Sequence, residues 1–121
     1  MRKILIATTS EATNAALLNS LSQYEGYTCN TGIEALSILE EVQPDILILD
    51  LMLPAMDGLT VLRKSSFKPH IILARTNLIT PVVLQAAAAV GVQDIILIPC
   101  TIRYIAEHLD ALIEKIPSPE T

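Results

Sequence analysis

Short apolar runs alternate along this chain with longer stretches whose apolar residues recur every three or four positions. Lys3-Ile4-Leu5-Ile6-Ala7 predicts a buried strand, and Tyr24 to Cys29 a weaker one interrupted by Gly26. Ile46-Leu47-Ile48-Leu49, His70 to Ala74 and Ile95 to Ile98 supply three more. Between them lie helical patterns. Glu11 to Ser22 has Ser10 as N-cap and Leu17, Leu18 and Leu21 on one face. Ile33 to Val42 presents Leu36 and Leu39 to a core, and Gly58 to Lys64 is short. Thr80-Pro81 is a helix start, with a capping hydroxyl followed by proline at the first helical position, and Gly91 is a stop after Val90. Thr101 caps a last amphipathic helix carrying Ile102, Ile105, Leu109, Leu112 and Ile116 on one stripe.

Five βα units with strands apolar on both faces predict an α/β fold: a doubly wound parallel sheet covered by helices on both sides. Ligands of such sheets sit beyond the carboxyl ends of the strands, where the strand order reverses. The residues expected there are Thr8, Thr9, Asp50, Ala74 and Ile98.

Composition narrows the class. A chain of 121 residues is one domain, with residues 1–116 forming it and 117–121, Pro-Ser-Pro-Glu-Thr, read as a tail or the start of a linker. Just over half the residues are apolar but only four are aromatic, so the core must be aliphatic. A net charge of −5 without any basic run argues against a nucleic-acid or anionic-membrane surface. The apolar runs are too short to span a bilayer, which points to a cytoplasmic protein. Cys29 and Cys100 lack metal-ligand spacing and read as small buried apolar residues in a reducing compartment. His70 and His108 have no partner set suggesting catalysis, and no enzymatic activity is expected.

Pro44-Asp45-Ile46-Leu47-Ile48-Leu49-Asp50-Leu51-Met52-Leu53-Pro54-Ala55-Met56-Asp57-Gly58 resembles the phospho-acceptor segment of response-regulator receiver domains from two-component systems. The resemblance extends to Lys3-Ile4-Leu5-Ile6, to Gly32-Ile33-Glu34-Ala35-Leu36 and to Asp94 through Pro99, nearly the whole chain. It implies a flavodoxin-like strand order 2-1-3-4-5 and a role in phosphorelay signalling, with Asp50 at the phospho-acceptor position.

The same resemblance exposes what is missing. In working receivers an acidic pair after strand one binds Mg²⁺ with the acceptor, because a carboxylate attacking a phosphoryl group needs its charge neutralised. Thr8 and Thr9 stand at those positions. Glu11 is the nearest acidic substitute. The switch hydroxyl ending strand four corresponds to Ala74, and the lysine before the strand-five proline to Ile98. The small residue admitting the phosphate is Arg75, whose guanidinium could cover the pocket and neutralise Asp50 or could reach solvent. The aromatic of strand five corresponds to Ile95. One opposite charge near 4 Å is worth about 4 kcal/mol at an effective dielectric of about 20. Losing about 3 kcal/mol of transition-state stabilisation slows a step roughly a hundredfold. Asp50 is therefore expected not to be phosphorylated at a useful rate, with Mg²⁺ binding weak or absent.

From Thr76 to Gln93 no residue is charged. The helix within is apolar almost all round, so burial on a second side is expected. Val82, Val83 and Leu84 are the interface candidates, in a homodimer through helix four, strand five and helix five or in contact with a protein partner such as an output domain or sensor kinase. Two other readings compete with this atypical, contact-acting receiver. One is a phosphorylated receiver using Asp50 with non-standard ligands. The other is a flavodoxin-like FMN domain, suggested by the hydroxyl-rich turn Thr8-Thr9-Ser10 but lacking its glycine and its aromatics.

Overall fold

The computed structural model describes residues 2–116; the proposed tail 117–121 lies outside the described residues. The elements are β1 (Lys3–Ala7), α1 (Glu11–Ser20), β2 (Glu25–Cys29), α2 (Gly32–Val42), β3 (Ile46–Asp50), α3 (Gly58–Lys64), β4 (Ile71–Thr76), α4 (Pro81–Ala89), β5 (Asp94–Leu97) and α5 (Ile102–Lys115). They form one five-stranded parallel sheet in the order β2-β1-β3-β4-β5.

The two-residue period of the strands divides the core into two layers. Leu5, Ala7, Leu47, Leu49, Ile72 and Ala74 pack on one face against Ala35 and Leu39 of α2 and Val61 and Leu62 of α3. Ile4, Ile6, Ile46, Ile48, Ile71 and Leu73 pack on the other against Leu17 of α1 and Ile105, Leu109 and Leu112 of α5. Strands β1, β3 and β4 are central and almost wholly buried, which their continuous aliphatic runs require. Gly26 does not interrupt β2. It makes room instead, since a Cβ there would lie 2.0 Å from Leu18 Cδ1.

The hydroxyl caps form as the sequence predicts: Ser10 accepts from Thr13 N–H, Thr80 from Val83 N–H and Thr101 from Tyr104 N–H. Several boundaries differ from the pattern by one or two residues. The first helix ends at Ser20, two residues early, and β5 stops at Leu97. β4 begins one residue late and runs on through Arg75 to Thr76. Ala74 is thus inside the strand and not at its end. The backbone explains the extension: Leu51 N–H donates to Arg75 O at 2.8 Å and Ile98 N–H to Thr76 O at 2.9 Å.

Helix α4 departs most from expectation. Its sequence suggests cover on a second side, yet within this chain only Ala87 is fully buried, and Val82 and Leu84 are 74% and 47% exposed.

Candidate functional site

Asp50 is the last residue of β3 and Arg75 is its register partner on β4. Adjacent residues of parallel strands project to the same face, so the carboxylate and guanidinium meet. Arg75 Nε lies 3.4 Å from Asp50 Oδ1, with both side chains more than nine-tenths buried. The alternative in which Arg75 reaches solvent is thereby corrected; the neighbouring strand holds it in. The contact is an ion pair without an aligned hydrogen bond, and Asp50 Oδ1, Arg75 Nε and Arg75 Nη1 have no hydrogen-bond partner. The other carboxylate oxygen, Asp50 Oδ2, accepts from Thr9 N–H at 3.3 Å. Burial pushes the Asp50 carboxyl above the usual carboxylate range, against the opposing pull of Arg75 and the Thr9 N–H.

The turn after β1 brings Thr9 to Asp50 by its backbone alone. Thr8 is fully buried and its hydroxyl is engaged elsewhere. It donates to Asn14 Oδ1 at 2.7 Å, with Ser10 O at 3.0 Å, and accepts from Ser10 N–H. Asn14 then donates from Nδ2 to Cys29 O, tying α1 to the end of β2. A polar Asn14 inside an otherwise apolar-periodic helix is the one signal for this network in the sequence. Glu11 turns toward Asn30 Nδ2 at 3.4 Å and lines a cavity of about 430 Å³ with Asn14, Thr28, Cys29 and Glu34. It does not substitute for an acidic residue beside Asp50. The hydroxyls that suggested a phosphate loop are likewise occupied, Thr8 as described and Ser10 as the cap of α1.

The loop after Asp50 is held from three sides. Leu51 is tied to β4, Gly58 N–H donates to Leu51 O at 2.9 Å, and Gly32 N–H donates to Pro54 O at 3.0 Å. A Cβ on Gly32 would fall 1.7 Å from the Met56 carbonyl oxygen, so the loop packs directly on α2. Ala55 takes the left-handed conformation, φ 70°, to make the turn. Asp57 caps α3 through Thr60 N–H and Thr60 Oγ1, which is the turn chemistry its Asp-Gly sequence suggests.

Ala74 is fully buried and brings no hydroxyl to the site. The assignment of the strand-four switch position to Ala74 is corrected here: β4 runs two residues further, to Thr76, a buried hydroxyl that accepts from Leu78 N–H at 3.4 Å. Ile98 follows β5 and is joined to Pro99 by a cis peptide bond. Val83 lines an apolar cavity of about 160 Å³, while its chain neighbours Val82 and Leu84 are exposed. His108 also has a partner the sequence did not reveal. Its Nδ1 lies 2.9 Å from Asp94 Oδ2, linking α5 to β5, and its ring packs at 4.4 Å on Tyr104. Among the described residues no group of three or more His, Cys, Asp or Glu is placed to hold a metal ion.

A family model described as response regulator receiver domain matches residues 4–110. The DNA-binding response regulator MtrA of Mycolicibacterium paratuberculosis is 32% identical over 95% of this chain, which covers 53% of that protein. Over 51% of the chain, response regulator MprA of Mycobacterium ulcerans is 40% identical, covering 28% of it. The chain thus spans about half the length, or less, of these relatives. Among solved structures, the receiver domain of a signal transduction histidine kinase from Syntrophus aciditrophicus superposes with a TM-score of 0.78 at 26% identity, covering all of this chain and 96% of that one. A CheY-like receiver from Methanospirillum hungatei gives a TM-score of 0.84 at 20% identity, over 95% of both chains, and bears on the fold.

Proposed function

The chain belongs to the response regulator receiver family of two-component signalling, and from that membership we propose that it acts through protein contact and not through phosphoryl transfer to Asp50. One observation carries the reading: the buried Arg75 guanidinium stands 3.4 Å from the Asp50 carboxylate. It supplies from within the chain the positive charge that a metal ion would bring. Asp50 is the single carboxylate at this point, Thr8 turns its hydroxyl to Asn14, and Thr9 offers only its N–H. That donor set does not fit Mg²⁺, which takes hard oxygen ligands with near-octahedral geometry. Ile98 leaves the lysine unreplaced, and the hydroxyl that ends β4 is that of Thr76, engaged with Leu78 N–H.

A phosphoryl group arriving at Asp50 would have to displace Arg75 and enter a site where Asp50 is 4% exposed. The receiver fold then serves as a rigid platform for partners. An output domain or a sensor kinase in the cytoplasm fits that role, with α4 as the contact surface. The net charge of −5 argues against a DNA contact by this domain itself. Incubation with acetyl phosphate and Mg²⁺, followed by intact mass measurement, tests the chemistry. The expected result is no adduct. An adduct on the wild-type chain that vanishes in Asp50→Asn would overturn the proposal and support an acceptor with non-standard ligands.

A further inference from the structure

Glu11 and Cys29 have no role around Asp50, yet the fold brings them together elsewhere. A cavity of about 430 Å³ opens at the carboxyl end of β2, between α1 and α2. Ala15 and Leu18 of α1 and Cys29 of β2 give it an apolar wall, and Glu11 and Glu34, from the first turns of α1 and α2, give it two carboxylates. No lysine, arginine or histidine lines it. Cys29 adds no charge, since burial first and then the nearby Glu34 carboxylate push its thiol up to about 11. The cavity has nearly three times the roughly 150 Å³ that hold benzene, and it falls within the range of about 300–1,000 Å³ usual for small-molecule sites.

Polar groups of this wall keep unused hydrogen-bonding capacity. Glu11 Oε1 accepts from Asn30 Nδ2 at 3.4 Å and Glu34 Oε1 from the Thr31 hydroxyl at 3.0 Å. The second oxygen of each carboxylate has no partner among the described residues. Asn14, also in the wall, is 5% exposed. One of the two N–H donors of its amide goes to Cys29 O at 3.0 Å, and no described residue accepts the other. A buried donor left without an acceptor is costly, so this side of the cavity favours an occupant that brings one.

We propose that this cavity binds a small organic cation: an amine with a short apolar chain and an oxygen acceptor, its ammonium group held by Glu11 and Glu34, its chain on Leu18 and Cys29, its oxygen on Asn14. The two carboxylates and the absence of any lining cation set the charge. A bare metal ion fits less well. Hard divalent cations take about six or more oxygen ligands, and among the described residues no third His, Cys, Asp or Glu joins these two. The volume exceeds what one lysine or arginine side chain of a partner protein would fill, so the occupant is a free molecule. Asn14 Oδ1 accepts from Thr8, the residue before Thr9, which sets the occupant one hydrogen bond from the turn that meets Asp50. The inference goes beyond the reading of the chain as a contact-acting receiver and does not depend on it.

The test is a titration of the full ¹⁵N-labelled chain with 4-aminobutan-1-ol at low ionic strength, followed by amide resonances to about 50 mM, which covers the weak affinities that exposed carboxylates support. Saturable shifts are expected at residues 11–18 and 28–34. Glu11→Gln and Glu34→Gln should each weaken binding about fivefold. Both variants fold, because glutamine keeps an acceptor for Asn30 and keeps the capping box with Thr31. Asp110→Asn on α5 makes the same change in net charge away from the cavity and should leave the affinity unchanged. Butane-1,4-diol, of the same length without the charge, should give no saturable shift. Four results overturn the proposal: no saturable shift with the amine, equal binding of the diol, an equal loss in Asp110→Asn, or Ca²⁺ saturating the same resonances at a lower concentration than the amine. Each is read on the unphosphorylated chain, so failure here leaves the reading of Asp50 standing.

Discussion

Replacing Arg75 by methionine should destabilise the domain by an amount that depends on pH. Methionine keeps much of the aliphatic packing and removes the charge. At 3.4 Å and an effective dielectric of about 20, the attraction lost is about 5 kcal/mol. The full loss does not appear, because the carboxyl has an alternative: it can take up a proton. In the unfolded chain an aspartate titrates near pH 3.9, so neutralising it at pH 7 costs at most about 4 kcal/mol, and at pH 5 about 1.5 kcal/mol. These figures bound the penalty of an unpaired Asp50. The sign follows from the direction of its shift. Burial raises the folded-state value of Asp50 and Arg75 opposes that rise. A raised carboxyl adds no penalty below the unfolded value. Its penalty grows as pH climbs toward the folded value, and removing Arg75 pushes that upper limit higher. Arg75→Met should therefore lose about 2–4 kcal/mol at pH 7 and no more than about 1.5 kcal/mol at pH 5. The chain has no tryptophan, so urea unfolding is followed by far-UV circular dichroism. The double variant Asp50→Leu with Arg75→Met should recover most of the loss, since a buried ion pair replaced by apolar groups is often near neutral. Equal losses at both pH values, or additive effects in the double variant, would refute the reasoning.

Two further substitutions test the loop that carries Asp50. Ala55 sits at φ 70°, a conformation that costs an L-residue about 1–2 kcal/mol. Ala55→Gly relieves it and gives back part of the gain as unfolded-chain entropy, for a net stabilisation of about 0.5–1 kcal/mol in thermal melts; a lower melting temperature would count against the turn geometry. Gly32→Ala would drive a Cβ into the Met56 carbonyl, a backbone atom that cannot step aside. A loss above about 3 kcal/mol in urea unfolding is expected, and a change within experimental error would mean that the loop does not pack on α2.

The fold was legible because its signals are local and redundant. Aliphatic runs bounded by Pro44-Asp45 or Pro69 mark strands, and Ser10, Thr80 and Thr101 mark helix starts with side-chain oxygens that the structure uses as caps. The errors fall where pairing decides and pattern does not. A strand ends where its neighbours stop offering partners. β4 continues past Ala74 because the chain after Asp50 and the residue Ile98 both bond to it, and neither contact is written in residues 70–76 themselves. Leu18, grouped with Leu17 and Leu21 by periodicity, lies at the edge of the sheet and is 37% exposed, because β2 has no further strand beyond it.

At the site, identity was legible and direction was not. Thr8, Thr9, Asp50 and Ile98 could be placed at or just beyond the strand ends from the apolar runs, while Ala74 could not, and a hydroxyl in the sequence does not say where it points. Thr8 could face Asp50 or turn away, and Asn14, six residues on, is the acceptor toward which it turns. Arg75 illustrates the same limit. An arginine among Ile71, Ile72, Leu73 and Ala74 on a central strand has no polar surroundings, and burying its charge alone would cost several kcal/mol. The register that sets it opposite Asp50 resolves this. Each group alone is a buried charge in an aliphatic sheet, and together they are a pair. Asp50 in this chain is held by its neighbour on β4, and a change at either residue is felt first as a change in stability.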